Sequence, residues 1–248
     1  QPWTDRFDFQ FSVDYTSIEI KDAVAQPGAG FILNQCYTSV GFSDPLCGRV
    51  TRNLAAAPDQ RFLLEVDQSV ANIEIENYED LSFSTLFVMD FNLGNTSTTF
   101  SWNVDVTQAI ELVNGLFIET ADELVGSLGV PEWRVQSLMG FDLGNWRVSQ
   151  RLNYASQTED TAAQRADAGL DDDELAIIGD FRSHAFSVTK NAESWGAFLT
   201  IENAFDETPD LIHDDAFVGQ TINNMPLGVY PSDAIMGRAI IFSVTAGF

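Results

Sequence analysis

Basic residues are what this sequence most lacks. Its 248 residues hold 12 Lys and Arg against 37 Asp and Glu, a net charge of −25. A surface that acidic repels a phosphate backbone, so nucleic-acid binding is excluded. Long apolar runs are missing too. No stretch of about 18 apolar residues exists, so no transmembrane helix can be built. Helical segments are scarce: Ala29 to Tyr37 and Ala121 to Leu128 are predicted as short loop helices, neither long enough to organise a domain. The signatures of common catalytic sites are absent: no G-x-S-x-G, no P-loop, no H-E-x-x-H and no C-x-x-C. His184 does follow Ser183, but neighbours on a strand point to opposite faces and cannot act as nucleophile and base. The scattered carboxylates read as solvated surface rather than as a glycosidase pair. No catalytic residue is assigned and no enzymatic activity is expected. The opening residues, Gln1 to Arg6, carry neither a Met nor an apolar leader core, which points to a removed leader or to a piece of something longer.

What is present is apolar and aromatic. Apolar residues make up 45% of the chain, aromatics 12%, and 19 residues are Phe, too much for a disordered protein. A soluble β-protein or an outer-membrane barrel remains, because a barrel hides its lipid face in alternating positions. Alternation is the dominant pattern. Phe7, Phe9, Phe11, Val13 and Tyr15 alternate with Asp8, Gln10, Ser12 and Asp14. The same two-residue period runs through Leu81 to Phe91, Phe100 to Val106, Trp133 to Phe141, Trp146 to Tyr154, Trp195 to Ile201 and Ile240 to Phe248. The opposite phase is polar: Ser101, Asn103, Asp105, Arg147, Ser149, Arg151, Asn153 and Glu202.

The connections alternate in length. Asn92 to Ser97, Asp142 to Asn145 and Lys190 to Glu193 are tight turns. Between them lie long polar segments, roughly Asp22 to Gln68, Leu112 to Pro131, Ser156 to Asp180 and Glu207 to Asp233. Soluble β-proteins seldom carry so many long structureless loops, whereas outer-membrane barrels pair short periplasmic turns with long external loops. This parity holds if Val70 to Phe91 is one strand of about 20 residues. The count is then eight strands. Trp102, Trp133, Trp146, Tyr154 and Trp195 fall where aromatic girdles meet the membrane interfaces. The predicted class is all-β, an antiparallel transmembrane β-barrel segment.

Five stretches, in order along the chain, carry a resemblance. Phe11 to Val24 is similar to an S-V-D-Y-x-x-I-x-I-x-D-A-I strand, Pro131-Glu132-Trp133-Arg134 to a P-x-W-R element, and Ile201 to Pro209 to an N-L-F-D-x-x-P element with Ala204 in place of Leu. Gly237-Arg238 opens a final strand and Phe248 is a terminal aromatic. Together they resemble the C-terminal part of a TonB-dependent outer-membrane receptor. The resemblance implies that residues 1–248 supply the last eight strands of a barrel of about 22. The plug, the TonB-contacting segment and the earlier strands would lie in a missing portion or a partner chain. It implies active uptake of a chelate, vitamin or oligosaccharide across the outer membrane of a Gram-negative bacterium, with lipid around the barrel and TonB engaged only through the missing portion. It also implies that Phe248 belongs to the signal read during barrel assembly. The alternative is a stand-alone or split eight-stranded module with a structural or binding role, assembling through its open edges.

Two local features remain. Cys36 and Cys47 close a short loop, which points to a disulfide and an oxidising compartment; two free buried thiols are the other reading. A zinc site lacks nearby His, since His184 and His213 are distant. Asp167, Asp171, Asp172, Asp173, Glu174 and Asp180 share one segment. They read either as a solvated acidic loop or as a weak Ca²⁺ site centred on Asp171, Asp172 and Asp173, without EF-hand spacing. No other cofactor is expected. The loop aromatics Phe31, Tyr37, Phe42, Phe117 and Tyr230 are placed either to stack on a ligand or to pack the loops together.

Overall fold

The computed structural model describes residues 6–53, 62–115, 122–127, 129–159, 177–208 and 237–246. In chain order the elements are β1 (Arg6–Ala25), α1 (Ala29–Thr38), two 3₁₀ turns (Val40–Phe42 and Pro45–Arg49), β2 (Val50–Arg52), β3 (Leu63–Val66), β4 (Ala71–Leu93) and β5 (Thr96–Gly115). They continue with β6 (Asp122–Glu123), β7 (Trp133–Leu143), β8 (Trp146–Ala155), β9 (Thr158–Glu159), β10 (Ile177–Ile178), β11 (Phe181–Asn191), β12 (Trp195–Glu202) and β13 (Ala239–Ala246). The chain is all-β with one short α-helix. Eight strands form the main sheet path in the order β1-β4-β5-β7-β8-β11-β12-β13, and β6 pairs with β5 off that path. Every register resolved along it is antiparallel. The segment 71–93 is a single strand of 23 residues, as its unbroken odd-numbered phase requires.

The chain divides into two compact units, one of residues 1–17, 78–112 and 124–248, the other of 18–77 and 113–123. In the first, register turns sequence alternation into continuous rows. Phe100 pairs with Phe141, Phe141 with Val148, Val148 with Val188, Val188 with Leu199, and Leu199 with Phe242. One step along lies a row of Trp102, Met139, Gln150, Phe186, Ile201 and Ile240. The opposite face carries rows such as Ser101, Gly140, Ser149, Ser187 and Thr200. Leu138, Phe198 and Ile241 interrupt its polarity. Because successive side chains alternate sides, six strands kept in register build one apolar and one largely polar face.

The tight turns follow from glycine. Gly94 (φ 62°) and Gly144 (φ 60°) occupy the left-handed region at the first central position of two-residue hairpins. Their surroundings repeat: Met89-Asp90-Phe91-Asn92-Leu93-Gly94-Asn95 and Met139-Gly140-Phe141-Asp142-Leu143-Gly144-Asn145 stand 139 − 89 = 50 residues apart. Neighbouring turns are tied together, Gly144 N–H donating to Ser97 C=O and Asn191 N–H to Asn145 C=O.

Two expectations about the connections are corrected. The segment 121–128 is not a helix where described: Asp122–Glu123 is a strand paired with Val113 and Asn114, and Leu124 N–H donates to Leu112 C=O. Gly126 at φ 79° then breaks any helical continuation. The described parts of the long connections are not structureless either, and the connection 207–233 lies almost wholly outside the described residues. The second unit contains α1, both 3₁₀ turns and the β2/β3 hairpin, and β9 pairs with β10 within the segment 156–180. In the second unit Ile32, Cys36 and Leu46 form a small buried centre. Arg49 fastens it by donating to the Asp67 and Ser69 carbonyls.

Candidate functional site: the two faces of the sheet

In the first unit the apolar rows lie on an open face of the sheet: Phe186 is 40% exposed, Phe242 67% and Ile240 69%, beside Trp102, Phe141, Val148, Val188 and Leu199. The polar face is mixed: Gly140, Ala155, Phe181, Ser183 and Ala185 are buried on it, while Arg134, Gln136, Leu138, Arg147, Arg151 and Phe198 are exposed. A contiguous exposed apolar surface marks an interaction face.

The few polar groups on the apolar face satisfy one another. Trp102 Nε1 donates to Ser137 Oγ at 2.9 Å. Gln150 Nε2 and His184 Nδ1 are 3.0 Å apart, and the His184 ring meets Phe205 edge-on at 5.0 Å. Ammonium and indole meet beside a tight turn, where Lys190 Nζ lies 4.5 Å from the Trp146 ring centre. At the other strand ends Trp133 and Tyr154 hold the apolar side. His184 and Ser183 do face opposite ways, the former toward Gln150 and the latter toward Asn153.

Charge on the polar face is split by strand. On β7, β8 and β12 each acid has a cation. Arg147 binds Asp142 through two nitrogens at 2.9 Å each. Arg151 reaches Glu202 at 2.6 Å across β11, over the small buried side chain of Ala185. On β4 and β5 three aspartates have hydroxyls instead. Ser84 donates to Asp105 at 2.6 Å, Thr99 to Asp90 at 2.7 Å, and Ser82 to Asp80 at 3.1 Å. Asp80 is only 7% exposed, and its second oxygen, Oδ1, has no hydrogen-bond partner.

The Asn203 region, which carries part of the family resemblance, is a clasp. Asn203 Nδ2 donates to the Glu207 carbonyl at 2.7 Å and its Oδ1 accepts from the Glu207 amide at 3.0 Å. Asp206 Oδ1 accepts from the Arg238 amide at 2.8 Å, joining the end of β12 to the start of β13. Asn203 (φ 44°) and Asp206 (φ 59°) take left-handed backbone that short polar side chains tolerate. The motif thus positions Phe205 against His184 and Phe186 on the apolar side.

Neither family models, curated proteins nor solved structures match this chain.

Cys36 and Cys47 are disulfide-bonded, with Cα atoms 4.9 Å apart, which closes α1 onto the second 3₁₀ turn. Tyr37 and Phe42 pack edge-on at 6.0 Å, and the Arg52 guanidinium lies 4.9 Å from the Tyr37 ring centre, so these loop aromatics pack among themselves. Asp67 accepts from the Ser69 amide at 2.9 Å, and the Ser69 backbone and hydroxyl bonds lower its carboxyl pKa. The Ca²⁺ candidates Asp171, Asp172 and Asp173, the terminal Phe248, and Phe117, Tyr230 and His213 lie outside the described residues. Among the described residues no group of three or more His, Cys, Asp or Glu could hold a metal ion. Sequence reasoning missed Asp80. It also missed a signal in plain view: between Arg61 and Arg134 there is no Lys, Arg or His.

Proposed function

We propose that this chain is wall, not catalyst: the C-terminal eight strands of a transmembrane β-barrel in the outer membrane of a Gram-negative bacterium. Its family would be the TonB-dependent receptors, importing a chelate, vitamin or oligosaccharide. The observation that carries this is the open apolar face, continuous apolar rows left exposed on one side of the sheet. In this reading the apolar rows meet lipid and the polar rows face the solute path. From Trp146 to Tyr154 the strand runs about 27 Å, or about 21 Å of height at barrel tilt, close to the roughly 25 Å apolar band of outer-membrane barrels. Trp146 and Trp195 then stand at the periplasmic interface, Trp133 and Tyr154 at the outer one. The disulfide-closed segment falls outside the cell, consistent with an oxidising compartment. Plug, TonB contact and remaining strands come from a missing portion or a partner chain.

The test is insertion. The full chain, refolded into vesicles containing brominated lipid, is expected to show quenching of its tryptophans and to need detergent or lipid to stay dispersed. A detergent-free monomer of 27.4 kDa whose fluorescence brominated lipid leaves unchanged refutes the reading.

A second reading has one specific support. Among the described residues the outer edges of β1 and β13 pair with nothing. Open edges recruit strands, so the chain would be a stand-alone or split module whose copies or partners join edge to edge. Detergent-free oligomers with a β-rich circular dichroism spectrum favour it.

A further inference from the structure

We propose that the polar face of β1, β4 and β5 recruits an organic cation, a ligand bearing protonated amine or guanidinium groups. This rests on reading that face as the solute-facing side of the barrel, and it names the charge class of the solute.

The first observation is a counter-charge deficit. After Arg6 at its start, the part of β1 in the first unit contains no Lys, Arg or His, and neither do residues 78–112, which supply β4 and β5 to that unit. Ser17 and Glu79 are bonded side chain to side chain, so they share a face, and the alternate positions of β1, Asp8 and Asp14 among them, lie on the other. Asp80, Asp90 and Asp105 stand on that same polar side, Asp90 and Asp105 each held by one neutral hydroxyl and Asp80 by Ser82 beside the neutral Tyr78 hydroxyl. A hydroxyl orients a carboxylate but leaves its charge uncancelled. Arg134 borders the strip, paired with Thr107, yet its guanidinium donates to the Gly129 carbonyl, and among the described residues no ion pair joins it to Asp80. The neighbouring β7, β8 and β12 neutralise their own acids, so the deficit is confined to one side of the sheet. Like charges lining one wall raise the local concentration of opposite charge.

The second observation is Asp80 itself. Its side chain is 7% exposed, Oδ2 is taken by Ser82, and Oδ1 has no partner. A buried carboxylate oxygen without a donor is costly, and an N–H carrying positive charge is the donor that relieves it best. Two alternatives fit less well. Asp90, Ser84 with its Asp105, and Asp80 are spaced along β4 by six and four residues, about 20 Å and 14 Å, too far apart to enclose one metal ion. A neutral sugar hydroxyl would fill Oδ1 but leave the row of charges uncompensated. An extended polyamine does both, offering separate ammonium groups to successive carboxylates.

The experiment uses the full chain folded in zwitterionic detergent and spermine as the probe, titrated calorimetrically at low salt. Wild type is expected to bind. Asp80→Asn should weaken binding about tenfold, the loss of one charge-assisted hydrogen bond. Asp105→Asn should weaken it several-fold, and raising the salt should weaken all variants. Asp105→Asn keeps the test decisive should Asp80→Asn fail to fold. Two outcomes overturn the proposal: no spermine binding, or binding that both substitutions leave unchanged and that Mg²⁺ displaces at equal charge, which signals a diffuse counter-ion atmosphere. Detergent dependence of the same sample reports on the barrel reading separately. A chain that is soluble without detergent and still binds spermine through Asp80 keeps this inference while losing the barrel.

Discussion

Substituting Phe186 by Arg separates a lipid-facing from a water-facing surface. Phe186 lies four residues from Lys190, which pairs with Trp146 at the tight-turn end. At the usual rise and barrel tilt this puts Phe186 about 10 Å above the Trp146 level, near the middle of an apolar band about 25 Å tall. An Arg at the midplane of such a face costs about 2–4 kcal/mol, whereas on a water-facing surface the charge itself changes stability by about 0.5 kcal/mol or less. Phe186 also contacts Phe205, with ring centres 6.2 Å apart, so part of any loss is packing. Phe186→Ala measures that part, and the Arg-minus-Ala difference isolates the charge. Ser187→Arg, one residue along and on the opposite face, should cost little. Val188→Arg, nearer the turn, should fall between. The assay is reversible urea unfolding of the refolded chain in vesicles, followed by tryptophan fluorescence. An Arg-minus-Ala difference within about 0.5 kcal/mol at Phe186, or an equal cost at Ser187, refutes the assignment of the faces.

Three further outcomes are expected. Replacing Cys36 and Cys47 by Ala should destabilise the second unit by about 3 kcal/mol. It should speed tryptic cleavage at Arg49 and Arg52 while the main sheet unfolds as before; unchanged cleavage counts against a clamping role. Asn203→Ala removes both bonds to Glu207 and puts a methyl side chain at φ 44°, so a loss of about 2 kcal/mol in urea unfolding is expected, and a neutral result would deny the clasp. The Asp67 carboxyl should titrate below the ordinary aspartate range by NMR, because Ser69 hydrogen bonds favour its charged form. The stabilisation of that turn is complete above the ordinary pKa and is lost as pH falls through the lowered one; a value at or above the ordinary aspartate range refutes it.

Much of the sheet was legible because strand signals are local. Period-two alternation identified the strands that carry the apolar rows except β11, whose Phe186 and Val188 no alternating run had marked, and the unbroken odd phase of Ala71 to Phe91 fixed one long strand rather than a hairpin. Gly94 and Gly144 marked the tight turns. The segment 121–128 was misjudged because propensity over a few residues cannot weigh a hydrogen bond to a distant strand, here Leu124 to Leu112. The clasp at Asn203 was recognised as a motif, but its bonds to Glu207 and Asp206's bond to Arg238 were not readable from the chain.

Composition and alternation by themselves determined an all-β chain of eight main strands, an apolar phase rich in Phe, and a marked shortage of cations. They could do so because a strand's side chains alternate whatever it pairs with. Only the tertiary structure decided which residues stand side by side: Phe100 through Phe242 in one row, Arg151 over Ala185 to Glu202, and Asp80 buried with an oxygen unpartnered. Those relations depend on the register between strands far apart in the chain, and register is set by the hydrogen-bonded ladder as a whole rather than by any one segment.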